Sequence, residues 1–183
     1  MKIDLGPEIV GLLLPHKRPF LMVDRIVEIG DKPTPSLHAR RLITQNESIF
    51  DGHFPGWPLW PGALTIEALA QAANLLLVLA EMRAESEDIL NDLRQLSLSM
   101  RMEPVATPGP EVLARLRSPG PSGVLSAVDV KLKRPVFAGT VLDLHVREDG
   151  RFQDLIHLHV EAVVDRRVVA DGSLHVARRS PPI

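Results

Sequence analysis

Apolar and polar positions alternate along most of this chain, but one stretch has almost no polar positions at all. After Pro61 come Ala63, Leu64, Ile66, Ala68, Leu69, Ala70, Ala72 and Ala73, then Leu75 to Ala80. A helix that is apolar on every side must be buried on every side, so the pattern predicts a core helix running past Leu79 into Met82 or Arg83. Its polar residues, Glu67, Gln71 and Asn74, recur at i, i+4 and i+7 and share one face. Just before it, Gly52, Pro55, Gly56, Pro58, Pro61 and Gly62 fix the backbone of a loop.

Elsewhere the pattern is that of strands. Met22 to Ile29 and Leu37 to Thr44 read as the first two, the second alternating Leu37, Ala39, Arg41 and Ile43 with His38, Arg40 and Leu42. Val124 to Lys133, Thr140 to Glu148, Leu155 to Val164 and Val168 to Ala177 read as four more. Turns are expected at Gly139, Asp149-Gly150 and Asp165-Arg166. Ile9 to Leu14, closed by Pro15, predicts one or two helical turns.

Between the long helix and Val124, Ser86 is placed to cap a short helix through Gln95. Leu96, Leu98, Met100 and Met102 then alternate as a strand would, and Pro104, Pro108, Gly109 and Pro110 form a turn before the apolar run Val112 to Leu116. The pattern therefore predicts one domain over residues 1–183, with an inserted hairpin or helix-hairpin at about residues 84–122. At least six strands with one long apolar helix make an α+β fold whose sheet wraps the helix.

Composition narrows the possibilities. A chain of 183 residues has room for a sizeable core. A net charge of −2 without a Lys/Arg-rich run argues against nucleic-acid binding. The absence of cysteine removes disulfides, a thiol nucleophile and cysteine-based metal sites. The start, MKIDLGPEIV, lacks a signal-peptide core, so a cytoplasmic location is expected. Reading the apolar helix as a membrane span would put Glu67, Gln71 and Asn74 in lipid, so no membrane association is expected. His157 and His159 share a strand face but bring no neighbouring carboxylate, and with His38, His145 and His175 they read as solvated strand residues and not metal ligands.

Three features carry candidate chemistry. Glu67 is a carboxylate on the most buried helix, costly unless paired or used. His53 sits in the Gly/Pro-locked loop, and Gly62 opens the helix with free N–H groups at the positive end of its dipole. An imidazole, a carboxylate and an amide donor are the parts needed to take a proton beside a carbonyl and expel a hydroxyl. The same residues also suit a plain turn histidine and a satisfied buried glutamate, and sequence separation does not show that the side chains meet.

The strings GHFPGWPLWPGALTIEALAQA and LLPHKRPFLMVDRI resemble the signatures of the β-hydroxyacyl-acyl carrier protein dehydratases of the FabZ type, as do KLKRPV and VVDRRVVADGSLHVARRS downstream. The resemblance spans about Leu12 to Ser180 and implies the hot-dog fold. It implies that His53 is the catalytic base, that Glu67 from the other subunit of a homodimer is the acid, and that Gly62 holds the thioester oxygen. Gln71 would orient Glu67, while Phe54, Trp57 and Trp60 would shape the acyl tunnel. It further implies a (3R)-3-hydroxyacyl substrate delivered on the phosphopantetheine of acyl carrier protein, no metal or redox cofactor, and dimers that can assemble as a trimer of dimers. His16, in the LLPH string, is expected to be structural. The departures are PVFAGT for the usual PVVPGD, bulky Trp57 and Trp60, and the insertion. A faint echo of the third-strand string in MRMEPVATPGPEVLARLR offers a competing register, disfavoured because it lacks the closing hairpin. A hydratase or thioesterase acting on CoA thioesters and a non-catalytic carrier-binding partner are the alternative functions.

Overall fold

The computed structural model describes residues 1–102 and 123–178. In chain order the elements are β1 (Lys2–Leu5), α1 (Pro7–Leu13), β2 (Arg25–Gly30), β3 (Ser36–Ile43), a 3-10 turn (Ser48–Asp51), α2 (Gly62–Glu85), α3 (Ile89–Met102), β4 (Val124–Leu132), β5 (Thr140–Phe152), β6 (Leu155–Val164) and β7 (Arg167–Ala177). The strands form one antiparallel sheet in the order β1-β2-β3-β5-β6-β7-β4. α2 packs on its inner face against β3, β5 and β6. This is the hot-dog arrangement, and among the described residues the long helix and six of the seven strands lie where periodicity placed them.

Alternation explains the inner face. β3 turns Leu37, Ala39 and Ile43 inward, β5 Leu142, Leu144 and Val146, and β6 Ile156, Leu158, Val160 and Ala162. Against them α2 sets small residues, Ala68, Ala72 and Ala73, beside fully buried Leu69, Leu75, Leu76 and Leu79, so helix and sheet approach closely. Each fully buried Leu or Val contributes roughly 1.5–3 kcal/mol. α2 is long and apolar enough to cross a membrane, but 61% of its apolar window is buried within the fold.

Several boundaries differ from expectation. β1 is four residues long, too short to show a period, and adds a strand beside β2. β2 starts at Arg25 and not Met22, because the Met22 N–H is claimed by Gln71 Oε1 at 2.8 Å. β5 runs through Asp149-Gly150, where the register shifts as in a bulge, and the chain reverses instead at Gln153, whose φ is +52°.

Residues 96–102 are helical, not a strand. The alternation at Leu96, Leu98, Met100 and Met102 does not follow burial, since the buried residues of α3 are Ile89, Leu90, Leu93 and Ser97, a helical stripe facing β1 and α1. Ser97 Oγ donates to Glu8 Oε1, and Arg101 Nε donates to the same oxygen at 3.0 Å, which fastens α3 to α1. Ser86 closes α2, its N–H donating to Met82 O at 3.0 Å, and does not cap a helix ending at Gln95. The rest of the expected hairpin, from Pro104 onward, lies outside the described residues. β4 and β5 occupy the third-strand register favoured by the sequence.

Candidate active site

The loop carrying His53 is stitched at both ends. The 3-10 turn buries Phe50 and ends in a hydrogen bond from the His53 N–H to Ile49 O at 2.9 Å. Phe54 and Trp57 exchange backbone hydrogen bonds of 3.0 and 2.8 Å around Gly56, whose φ of +76° only glycine adopts without strain. Trp60 N–H then donates to Val136 O at 2.8 Å, and Leu59 bridges Phe137. A rigid loop results, and the imidazole is rigid within it.

His53 Nδ1 lies 2.9 Å from Leu59 O. A carbonyl oxygen can only accept, so Nδ1 carries the proton and the neutral ring keeps Nε2 as an unprotonated acceptor. The ring stacks on Phe54 with centroids 4.2 Å apart. His53 shares a cavity of about 280 Å³ with Leu59, Trp60, Gly62, Thr65 and Val136 among others. Phe54 and Trp57 do not line it; both are exposed, stacked one on the other beside the histidine.

Gly62 is the first residue of α2, preceded by Pro61 with no side-chain cap. Pro61 O accepts from Leu64 and Thr65, leaving the first-turn N–H groups of Gly62 and Ala63 without an acceptor in the helix. A Cβ at Gly62 would fall 2.2 Å from Leu132 Cδ1, so the tip of the Leu132 side chain, at the end of β4, lies directly over the helix start.

Glu67 and Gln71 stand one turn apart and further along α2. Gln71 is 1% exposed and every polar atom is used: Nε2 donates to Glu67 Oε1 at 2.8 Å and to Phe20 O at 2.7 Å, while Oε1 accepts from Met22. The carboxyl of Glu67 is thereby tied to the LLPHKRPFLM segment. His16 also faces it, with Nε2 3.7 Å from Glu67 Oε1. His16, Glu67, Gln71, Asn74, Val124 and Leu125 line a second cavity of about 280 Å³. Within that group, His16 Nδ1 and Asn74 Oδ1 are buried without a hydrogen-bond partner.

His53 and Glu67 are thus not brought together within one chain: their cavities share no lining residue. Both cavities border β4, at its opposite ends, Leu132 for His53 and Val124 for Glu67. Among the described residues β4 is an edge strand bonded to β7 on one side only, and Val124, Leu125, Val128 and Leu132 are 40–53% exposed. His16, expected to be structural, stands beside the candidate acid; no periodicity could have revealed this, because the contact links a loop to a helix far along the chain. Among the described residues no group of three or more His, Asp or Glu is placed to hold a metal ion.

A model of the FabA-like domain matches residues 14–114. The chain is 34% identical over 169 residues to a 3-hydroxyacyl-[acyl-carrier-protein] dehydratase FabZ of Pseudoalteromonas translucida, covering 91% of this chain and 89% of that one. To the FabZ of Dechloromonas aromatica it is 34% identical over 167 residues, covering 91% and 92%. In structure it is similar to a chain of a dehydratase heterocomplex from Xenorhabdus doucetiae, with a TM-score of 0.51, 15% identity and coverage of 93% and 91%. A sigma28-regulated virulence protein from Campylobacter jejuni gives a TM-score of 0.52 at 15% identity, covering 96% and 90%. At such identities these structural likenesses speak for the fold alone.

Proposed function

This chain belongs to the FabA-like family and, within it, to the FabZ 3-hydroxyacyl-[acyl-carrier-protein] dehydratases, and from that premise we propose how its residues divide the work of removing water from a 3-hydroxyacyl thioester. His53 Nε2 takes the C2 proton, a role that contributes about 10²–10⁴-fold when an imidazole is held in place. The N–H groups opening α2 at Gly62 receive the thioester oxygen as enolate charge develops, each such donor being worth about 3 kcal/mol. Glu67 gives a proton to the 3-hydroxyl, the C3–O bond breaks, and enoyl thioester and water leave. Gln71 holds the Glu67 carboxyl by donating from Nε2 to Glu67 Oε1. The substrate arrives on the phosphopantetheine of acyl carrier protein.

One observation carries the assignment: the two half-sites lie at opposite ends of the same exposed edge strand. A second copy laid antiparallel along β4 and centred on Val128 sets Leu132 opposite Val124 of the partner subunit. That arrangement covers the apolar edge, satisfies its free backbone groups and joins each His53 cavity to the Glu67 cavity of the partner subunit. The complete site then belongs to the homodimer, with two sites per pair.

The test follows enoyl absorbance with 3-hydroxyacyl thioesters on acyl carrier protein and on CoA. His53→Ala and Glu67→Gln should each abolish product. Co-expressed under different tags and purified as the mixed dimer, the two variants should regain activity that neither has alone, because one site of the pair is intact. No recovery in the mixed dimer would refute the shared site. Thiol release without enoyl product would make the protein a thioesterase.

A further inference from the structure

We infer that His16 is a positioning residue for the acid half of the site: it presents Nε2–H to Glu67 Oε1 and steadies the carboxylate that Glu67 becomes when it gives up its proton. The inference rests on the dehydratase reading above for what Glu67 does. His16 Nε2 stands 3.7 Å from Glu67 Oε1, and the two side chains line the same cavity. The other ring nitrogen, Nδ1, is buried with no hydrogen-bond partner, so the edge turned to Glu67 is the one through which the ring acts. Oε1 already accepts from Gln71 Nε2 at 2.8 Å, and a second N–H can share that oxygen, which has two lone pairs. Both neighbours thus address Oε1. Oε2 has no hydrogen bond to a described residue and is left for the 3-hydroxyl.

The loop that carries His16 is itself fastened. Lys17 Nζ donates to Gly11 O at 2.7 Å and to Leu14 O at 3.3 Å, which folds the segment after Pro15 back onto the end of α1. The Phe20 N–H donates to Lys17 O at 2.8 Å, the Phe20 ring lies 6.1 Å from the imidazole, and Phe20 O accepts from Gln71 Nε2 at 2.7 Å. One loop therefore brings His16 to Glu67 directly and seats Gln71 beside it. In the reaction the Oε2–H proton passes to the leaving oxygen, the C3–O bond breaks and charge appears on the carboxyl; His16 itself neither gains nor loses a proton. At 3.7 Å the contact is looser than a hydrogen bond. A donor that draws in as the charge develops stabilises the transition state more than the ground state, which is the condition for raising kcat.

The experiment compares 3-hydroxybutyryl and 3-fluorobutyryl thioesters of acyl carrier protein in wild type, His16→Phe, His16→Gln and Glu67→Gln, following enoyl absorbance. Fluoride leaves without taking a proton, so its elimination needs the base and the amide donor but not the acid. On the hydroxy substrate His16→Phe, which keeps a ring and loses the donor, should cut kcat by about 10-fold with KM little changed, the scale of one lost hydrogen bond. His16→Gln, whose amide N–H can reach the same oxygen, should restore most of that loss. On the fluoro substrate all four proteins should run at one rate, Glu67→Gln included, which also shows that the variants are folded. An equal loss in His16→Phe on both substrates, full activity of His16→Phe on the hydroxy substrate, or His16→Gln as slow as His16→Phe would each overturn the inference while leaving the dehydratase in place. Enoyl product from neither substrate in wild type would remove the dehydratase reading, and the inference with it.

Discussion

Gln71 is the residue on which the placement of the acid turns. It is buried and makes three hydrogen bonds, one of them to Glu67. Gln71→Leu keeps the volume and removes all three, so the acid loses its tether and kcat should fall by about 10-fold, as expected for one lost hydrogen bond of about 1 kcal/mol, while KM changes little. Steady-state kinetics beside a urea unfolding curve would check it; a variant with unchanged kcat would mean that Glu67 needs no tether. The i, i+4, i+7 stripe made Glu67 and Gln71 legible as a pair in the sequence. Nothing there linked them to Phe20, Met22 or His16, because those contacts span about fifty residues and only chain reversal creates them. The tautomer of His53 was likewise out of reach, since it is set by a carbonyl six residues away in a loop whose path no period encodes.

Among the elements, β4 is the one whose exposure conflicts with its sequence. Val124, Leu125, Val128 and Leu132 make it a good strand, yet it is exposed over nearly its whole length. Val128→Lys places a charge at the centre of the proposed β4 pairing, where it would face its own copy. Size-exclusion chromatography should then show a monomer with near-wild-type circular dichroism, because the ladder to β7 survives, and activity should be lost with the dimer. An active dimer of this variant would place the partner elsewhere. Helix α3 shows the opposite lesson: its apolar residues alternate in sequence, but the face that packs on β1 and α1 was chosen by Ile89, Leu90 and Leu93 together with the Ser97–Glu8 contact. Two periods coexist in those fourteen residues, and tertiary contact selected the helical one.

At the scale of the whole molecule, the outer face of the sheet is polar and sensitive to pH. His38 and His145 stack with centroids 4.4 Å apart, and His38 shares Asp143 with Arg40. Burial would raise the Asp143 pKa, but the hydrogen bonds from Arg40 and His38 outweigh it and hold the carboxyl below its usual range. Burial, and then the neighbouring charge of His38, push His145 below its ordinary 6.5, against the pull of Asp143 and Glu161. The unfolded chain therefore protonates this imidazole first as pH falls, so its contribution to stability is present above about 6.5 and is lost as pH drops from there through the lower folded value. The urea midpoint should fall between about pH 7.5 and about pH 5.5, and His145→Gln should flatten that fall. Equal slopes in both proteins would show that His145 does not carry the effect.

By itself the sequence determined the core helix and six strands, because these follow from a period that acts locally, and it singled out His53, Glu67 and Gly62 by residue chemistry, with their roles supplied by the family resemblance. Tertiary structure alone decided that His53 and Glu67 open into different cavities, that β4 lies at the edge of the sheet among the described residues, and that His16 stands beside Glu67. Each of these is a relation between segments distant in sequence, and it exists only once the sheet has curled around α2 and brought them to one surface.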